Sequence, residues 1–130
     1  MIVCDTHALV FDGLAPKLLG SEAARVIEKS HRTGDLACAD ISLWEIAMSM
    51  EKGRLAVDAS SVDLLTAMIA ARRLNVLSIT SAISALSTSS SVPKGDPADR
   101  LIAATAISHG ATLITKDERL IGLPDLPTIW

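Results

Sequence analysis

Four short apolar runs punctuate the chain: Ile2–Cys4, Leu36–Ala39, Val76–Ile79 and Thr112–Thr115. Each is too short for a stable helix and lacks the apolar–polar alternation of a strand with one wet face. They read as strands buried on both faces. Helical patterns separate them, so right-handed crossovers must join them into a parallel sheet with helices on both sides. Pro127–Trp130 reads as a short final strand. The expected architecture is α/β: a three-layer α/β/α sandwich around a central, mainly parallel sheet of four to five strands. The expected organisation is a single domain over residues 1–130.

Between the strands, Ser21 is placed to cap a helix that runs to Thr33 and stops at Gly34. A second helix is expected from Ser42 to Gly53. A third follows Ser60, with Leu64, Leu65, Met68 and Ile69 at helical spacing. A short helix is expected over Ser81–Leu86, then a polar loop over residues 87–95. Asp96-Pro97 is a strong start signal for a helix that ends at Gly110. Residues 117–123 are expected to add a turn of helix.

In an open parallel sheet, ligands bind outside the C-terminal strand ends. Acids gather where that rule points. Asp5 ends the first strand and Asp40 follows the second. Glu45 is placed in the first turn of the next helix. Asp96 and Asp99 open the helix after the polar loop, and Asp117 lies two residues beyond the fourth strand. Carboxylates brought together at one edge repel and resist ionisation unless a cation joins them. Oxygen ligands without a His or Cys cluster suit Mg2+ or Mn2+. Each acid also has a purely structural reading. Ser42-x-x-Glu45 matches a capping box, Asp96 is a good N-cap with Asp99 behind it, and Asp40 and Asp117 suit turns. Asp5 is the hardest to explain that way, because a carboxylate ending a buried strand needs a partner.

Composition narrows the chemistry. The chain has 130 residues, 49% of them hydrophobic, enough for a core without disulfides. Cys4 and Cys38 lie in strand-like runs and read as reduced core thiols. The net charge of −3 gives no global attraction for a polyanion, so any such contact must be local or metal-mediated. Phe11, Trp44 and Trp130 are the only aromatics among Phe, Tyr and Trp, which argues against a base-stacking platform; the tryptophans read as core or interface anchors. No apolar run approaches the roughly 18 to 20 residues of a membrane span. With no leader pattern at Met1, a cytoplasmic protein is expected. No G-x-S-x-G elbow supports a serine hydrolase. His7 reads as a packing residue rather than a ligand, and His109 as a complement to a helix C-terminus.

The ordered segments "DTHALVF" (5–11), "ISLWEIAMSMEKGRL" (41–55), "DPADRLIAATAISHGATLITKDERL" (96–120) and "PTIW" (127–130) together resemble PIN-domain ribonucleases, in particular VapC-type toxins of toxin–antitoxin modules. The resemblance covers essentially the whole chain. It implies a Mg2+- or Mn2+-dependent endoribonuclease that leaves 5′-phosphate and 3′-hydroxyl ends. It places the acidic quartet on Asp5, Glu45, Asp99 and Asp117, with Asp96 auxiliary and Thr6, Ser42 and Thr115 as hydroxyl residues lining the site. It further implies an RNA substrate, a cognate antitoxin and a homodimer, for which the helices after Ser21 and Ser60 offer apolar faces. Lys52, Arg54, Lys94, Arg100, Lys116 and Arg119 are candidate phosphate contacts, Arg100 foremost and also a candidate partner of the acids. Two other readings compete: a non-catalytic interaction module of the same fold, and another Mg2+-dependent phosphohydrolase. The phosphatase signature Asp-x-Asp is absent, since His7 occupies its third position.

Overall fold

Ile2, Val3 and Cys4 pair in parallel register with Leu36, Ala37 and Cys38 on one side, and with Thr112, Leu113 and Ile114 on the other. A computed structural model describes residues 1–130. Its strands are β1 (Ile2–Cys4), β2 (Leu36–Ala39), β3 (Asn75–Leu77), β4 (Thr112–Ile114) and β5 (Thr128–Ile129). They form one sheet in the order β3-β2-β1-β4-β5, and every pair is parallel. The helices are α1 (Thr6–Leu14), α2 (Ser21–Thr33), α3 (Asp40–Glu51), α4 (Ser61–Arg72), α5 (Ser81–Ser87) and α6 (Pro97–Ser108).

Successive strand residues point to opposite faces, and this splits the core in two. Val3, Ala37, Ala39 and Leu113 face α5 and α6, where they pack with Ile83, Ile102, Ala103 and Ala106. Cys4, Leu36, Cys38 and Ile114 face the other way and pack with Leu9 of α1, Ile27 of α2 and Ile46 of α3. Both layers of helices are thus anchored by the central strands β2, β1 and β4, which are largely buried as expected, whereas β3 at the sheet edge exposes Asn75 and Val76. Cys4 and Cys38 sit side by side in register as free, buried thiols. Arg72 ties α4 to its neighbours, donating to both Asp12 oxygens at 2.9 and 2.8 Å and to Glu28 at 2.8 Å.

Several expected boundaries move. Residues 6–14, given no element from the sequence, form α1. Asp5 is its N-cap and accepts from the Ala8 amide at 2.8 Å. α2 begins at Ser21 with Gly20 in the cap position, so the Ser21 side chain caps nothing; its far end closes at Gly34 in the left-handed conformation (φ 73°). α3 starts at Asp40 rather than Ser42, which buries Ser42 completely and removes the capping box. The third strand is Asn75–Leu77, because the Ile79 amide donates to Asp40 Oδ2 at 3.1 Å and leaves the ladder. Residues 118–122 form turns rather than helix, a segment interrupted by Gly122 and followed by Pro124. Trp44 is 56% exposed and is no part of the core, whereas Trp130 packs against it. The Asp96 cap forms as expected, and Ser60 caps α4.

Candidate metal centre

After β3 the chain crosses back through α5 and α6 to enter β4 on the far side of β1, so strand order reverses between β1 and β4. The crevice at that reversal is where a ligand is expected. Asp5 stands at its floor. Its amide donates to Ile114 O at 3.0 Å, prolonging the β1–β4 ladder, while its carboxylate caps α1. Thr115 and Asp117 follow β4 on the other side, and Asp117 is fixed by its own amide donating to Thr115 Oγ1 at 3.1 Å.

Two helices bring the remaining acids. Because α3 starts early, Glu45 lies in its second turn. Glu45 Oε1 accepts from the Thr6 hydroxyl, which also lies 3.1 Å from Ser42 Oγ. Thr6 therefore supports Glu45 directly, and Ser42, expected as a cap, instead contacts Thr6. Asp96 accepts from the amides of Ala98 (2.9 Å) and Asp99 (3.3 Å), which sets Asp99 in the first turn of α6. One carboxylate oxygen each from Glu45, Asp96 and Asp99 lie within 4.8 Å of one another. A cleft of about 470 Å³ is lined by Asp5, Asp99, Asp117, His7, Lys116 and Arg119 among others. An adjoining cleft is lined by Asp5, Thr6, Glu45, Arg54, Asp96 and Asp99. Asp5 and Asp99 thus line both.

The electrostatics follow from this crowding. Burial pushes the Asp5 carboxyl above its ordinary pKa, and hydrogen bonds from Thr115 and the Ala8 amide pull it partly back. Burial also raises Glu45; the Thr6 hydrogen bond opposes the shift, and the charges of Asp99 and Asp96 add to it. Asp99 is raised by burial and then by Asp96 and Asp117. Asp117 alone is lowered, chiefly by hydrogen bonds from Arg119. An all-oxygen donor set in which Asp5, Glu45 and Asp99 resist ionisation suits a hard divalent cation.

These shifts set a pH dependence. For Asp5, Glu45 and Asp99 the folded state binds protons more readily than the unfolded chain, so their charged forms weaken the fold at neutral pH. That loss is relieved as pH falls through the raised values and is fully gone below the ordinary carboxylate range. Asp117 acts in the opposite sense, but only as pH falls through and below that range. In chelator, the melting temperature should therefore rise as the pH is lowered from neutral toward the ordinary carboxylate values of about 4. Saturating Mn2+ should flatten or invert the trend. A melting temperature that falls over that window without metal contradicts the assignment.

Cation placement differs from the sequence expectation. Arg100 forms no ion pair, and its Nε is buried without a partner. Arg119 takes the place expected of it, bridging Asp99 at 3.2 Å and Asp117 at 2.9 Å. The Asp117-x-Arg119 spacing within a turn was the available signal. Lys116 Nζ lies 5.0 Å from the Phe11 ring centroid and 5.7 Å from that of Trp130, a cation–π seat beside the cleft. His7 is exposed and rests against Phe11 with ring centroids 6.0 Å apart.

Comparison with known proteins places the chain in a family. The PIN domain family model matches residues 2–126. Ribonuclease VapC22 of Mycobacterium tuberculosis is 36% identical over 133 aligned positions, covering 99% of this chain and 98% of that protein. Among solved structures, VapBC2 from Rickettsia felis bound to a promoter DNA fragment superposes with a TM-score of 0.73 at 19% identity, covering 99% of this chain and 98% of that one. A toxin–antitoxin complex from Klebsiella pneumoniae superposes at 0.66 and 20% identity, covering 100% of this chain and 97% of that one. The likeness to these solved structures is one of fold, and the chain belongs to the PIN domain family.

Proposed function

We propose that this protein is a metal-dependent endoribonuclease that hydrolyses RNA phosphodiester bonds and acts as the toxin of a toxin–antitoxin pair. The observation that carries the reading is that acids from four segments line two adjoining clefts, which share Asp5 and Asp99, at the sheet edge where this topology binds ligands. A ribonuclease relative along the whole chain supports it, as do toxin–antitoxin complexes among the structural neighbours.

Asp5, Glu45, Asp99 and Asp117 hold Mg2+ or Mn2+. Asp96 orients Asp99 and adds charge. When bound, the ion neutralises phosphate oxygens and lowers the pKa of coordinated water, supplying a nucleophile near neutral pH. The protein's part is to hold the acids still: Thr6 and Ser42 fix Glu45, Thr115 fixes Asp5 and Asp117, and the α6 cap fixes Asp99. Glu45, with its raised pKa, is suited to take a proton from the attacking water. Lys116, seated over the Phe11 and Trp130 rings, is placed to meet a backbone phosphate. The partners are RNA, a cognate antitoxin and a second copy of the chain; exposed Val62 on α4 extends an apolar face suited to protein contact. No helix is long and apolar enough to cross a membrane, and the proposed place of action is the cytoplasm.

The purified protein should cleave structured RNA in Mg2+ or Mn2+, stop in EDTA, and resume when metal is restored in excess. Undiminished cleavage in chelator, or none with any divalent ion, refutes the reading.

A further inference from the structure

Arg119 occupies ground that the proposed function assigns to metal. Its Nη2 donates to Asp99 Oδ2 at 3.2 Å and to Asp117 Oδ2 at 2.9 Å, and its Nε donates to Asp117 Oδ1 at 3.1 Å. One guanidinium therefore engages two of the four carboxylates assigned as ligands. A seat exists for it. A Cβ at Gly95 would lie 2.5 Å from Arg119 Nη1, so the missing side chain is what lets the guanidinium lie against the loop that leads into α6. The arrangement is nonetheless easy to undo. The Arg119 side chain is 51% exposed, and exposed ion pairs are weak and screened by salt. The residue also sits in a turn, so its side chain can swing away without breaking a helix or strand.

The guanidinium takes up both Asp117 oxygens and one Asp99 oxygen, and its positive charge lies where a divalent cation would bind, so the two compete for these carboxylates. We propose that Arg119 is a built-in counter-ion of the acidic centre, which divalent metal must displace from Asp99 and Asp117, so that this residue sets the metal concentration at which the site fills. Without metal it neutralises acids that otherwise repel. With metal it is the competitor. The inference rests on the metal-centre reading above and specifies what controls that centre.

The test is Mn2+ binding to the metal-stripped full chain, followed by the electron paramagnetic resonance of free Mn2+ at fixed ionic strength. Arg119→Met should tighten binding by about fivefold to tenfold, on the scale of one removed charge competing at an exposed site. Arg119→Lys should fall between, since a point charge cannot bridge two carboxylates as a planar fork does. Lys94→Met removes a nearby charge that makes no ion pair and should change affinity by less than about twofold. The melting temperature in chelator gives a second readout: Arg119→Met should be less stable there, and should gain more from Mn2+ than wild type does. Equal or weaker Mn2+ binding by Arg119→Met overturns the role of Arg119 alone. Absence of Mn2+ binding in both wild type and Arg119→Met overturns the metal centre and Arg119's role with it.

Discussion

Asp5→Asn is expected to lower metal-dependent RNA cleavage by about a thousandfold or more, the scale on which preorganised charge stabilisation acts in a nuclease site. The same exchange should leave the fold standing. Asp5 does two jobs, as a ligand in the crevice and as the N-cap of α1. Asn caps a helix about as well as Asp, so the bond from the Ala8 amide survives. What disappears is a negative charge that burial already disfavours. The variant should therefore melt no lower than wild type in chelator while losing most of the stabilisation that Mn2+ confers. Asp99→Asn should be equally inactive, and it also releases one of the two anchors of Arg119. Cleavage rates and melting curves with and without Mn2+ check both variants. Wild-type cleavage by either would remove that residue from the centre. Expression in cells offers a parallel readout: wild type should arrest growth and Asp5→Asn should not.

The second large effect is on stability. Ile102→Ala should destabilise the protein by about 3 to 4 kcal/mol, the usual cost of emptying a fully packed aliphatic site. Ile102 is 1% exposed and lies one turn beyond Asp99 on α6, where it packs in the core that includes Val3 and Leu113. It also lines the cleft below Asp99. A loss of that size is a large share of the roughly 5 to 15 kcal/mol that holds a domain of this size together. Urea titration should show a lower midpoint with an unchanged slope. Mn2+ should restore part of the loss, because it binds the native state. A change below about 1 kcal/mol would mean that the α6 layer repacks around the gap.

What could be read from the chain and what could not divide along physical lines. The buried strands were legible because burial on both faces leaves an unbroken apolar run, as in Leu36–Ala39. The α6 start was legible because Asp96-Pro97 is a local signal. The acids were legible because strand ends and helix starts locate them, wherever the chain then goes. α1 was not assigned because its start signal is Asp5 itself, already claimed by chemistry. The early start of α3 brings Asp40 to the Ile79 amide, a contact between segments 39 positions apart that no local pattern announces. Arg119 rather than Arg100 meets the acids because helix direction, and not sequence adjacency, decides which way a side chain projects. Lys116 over Phe11 and Trp130 joins three separate segments, which no local pattern can show.

The divided core has a mechanical consequence. Asp5 and Glu45 open or ride on α1 and α3, whose side chains Leu9 and Ile46 belong to one core, while Asp99 belongs to the helix that builds the other. Between them stands a sheet whose β1 and β4 are three residues long. On the proposed ligand set, a single ion clasps the two layers at the sheet edge. Local opening of α1 and of α6 is then coupled more tightly as the site fills, and hydrogen exchange in both helices slows together. A toxin built this way is loosest when it lacks its metal and stiffens as it becomes competent to cut.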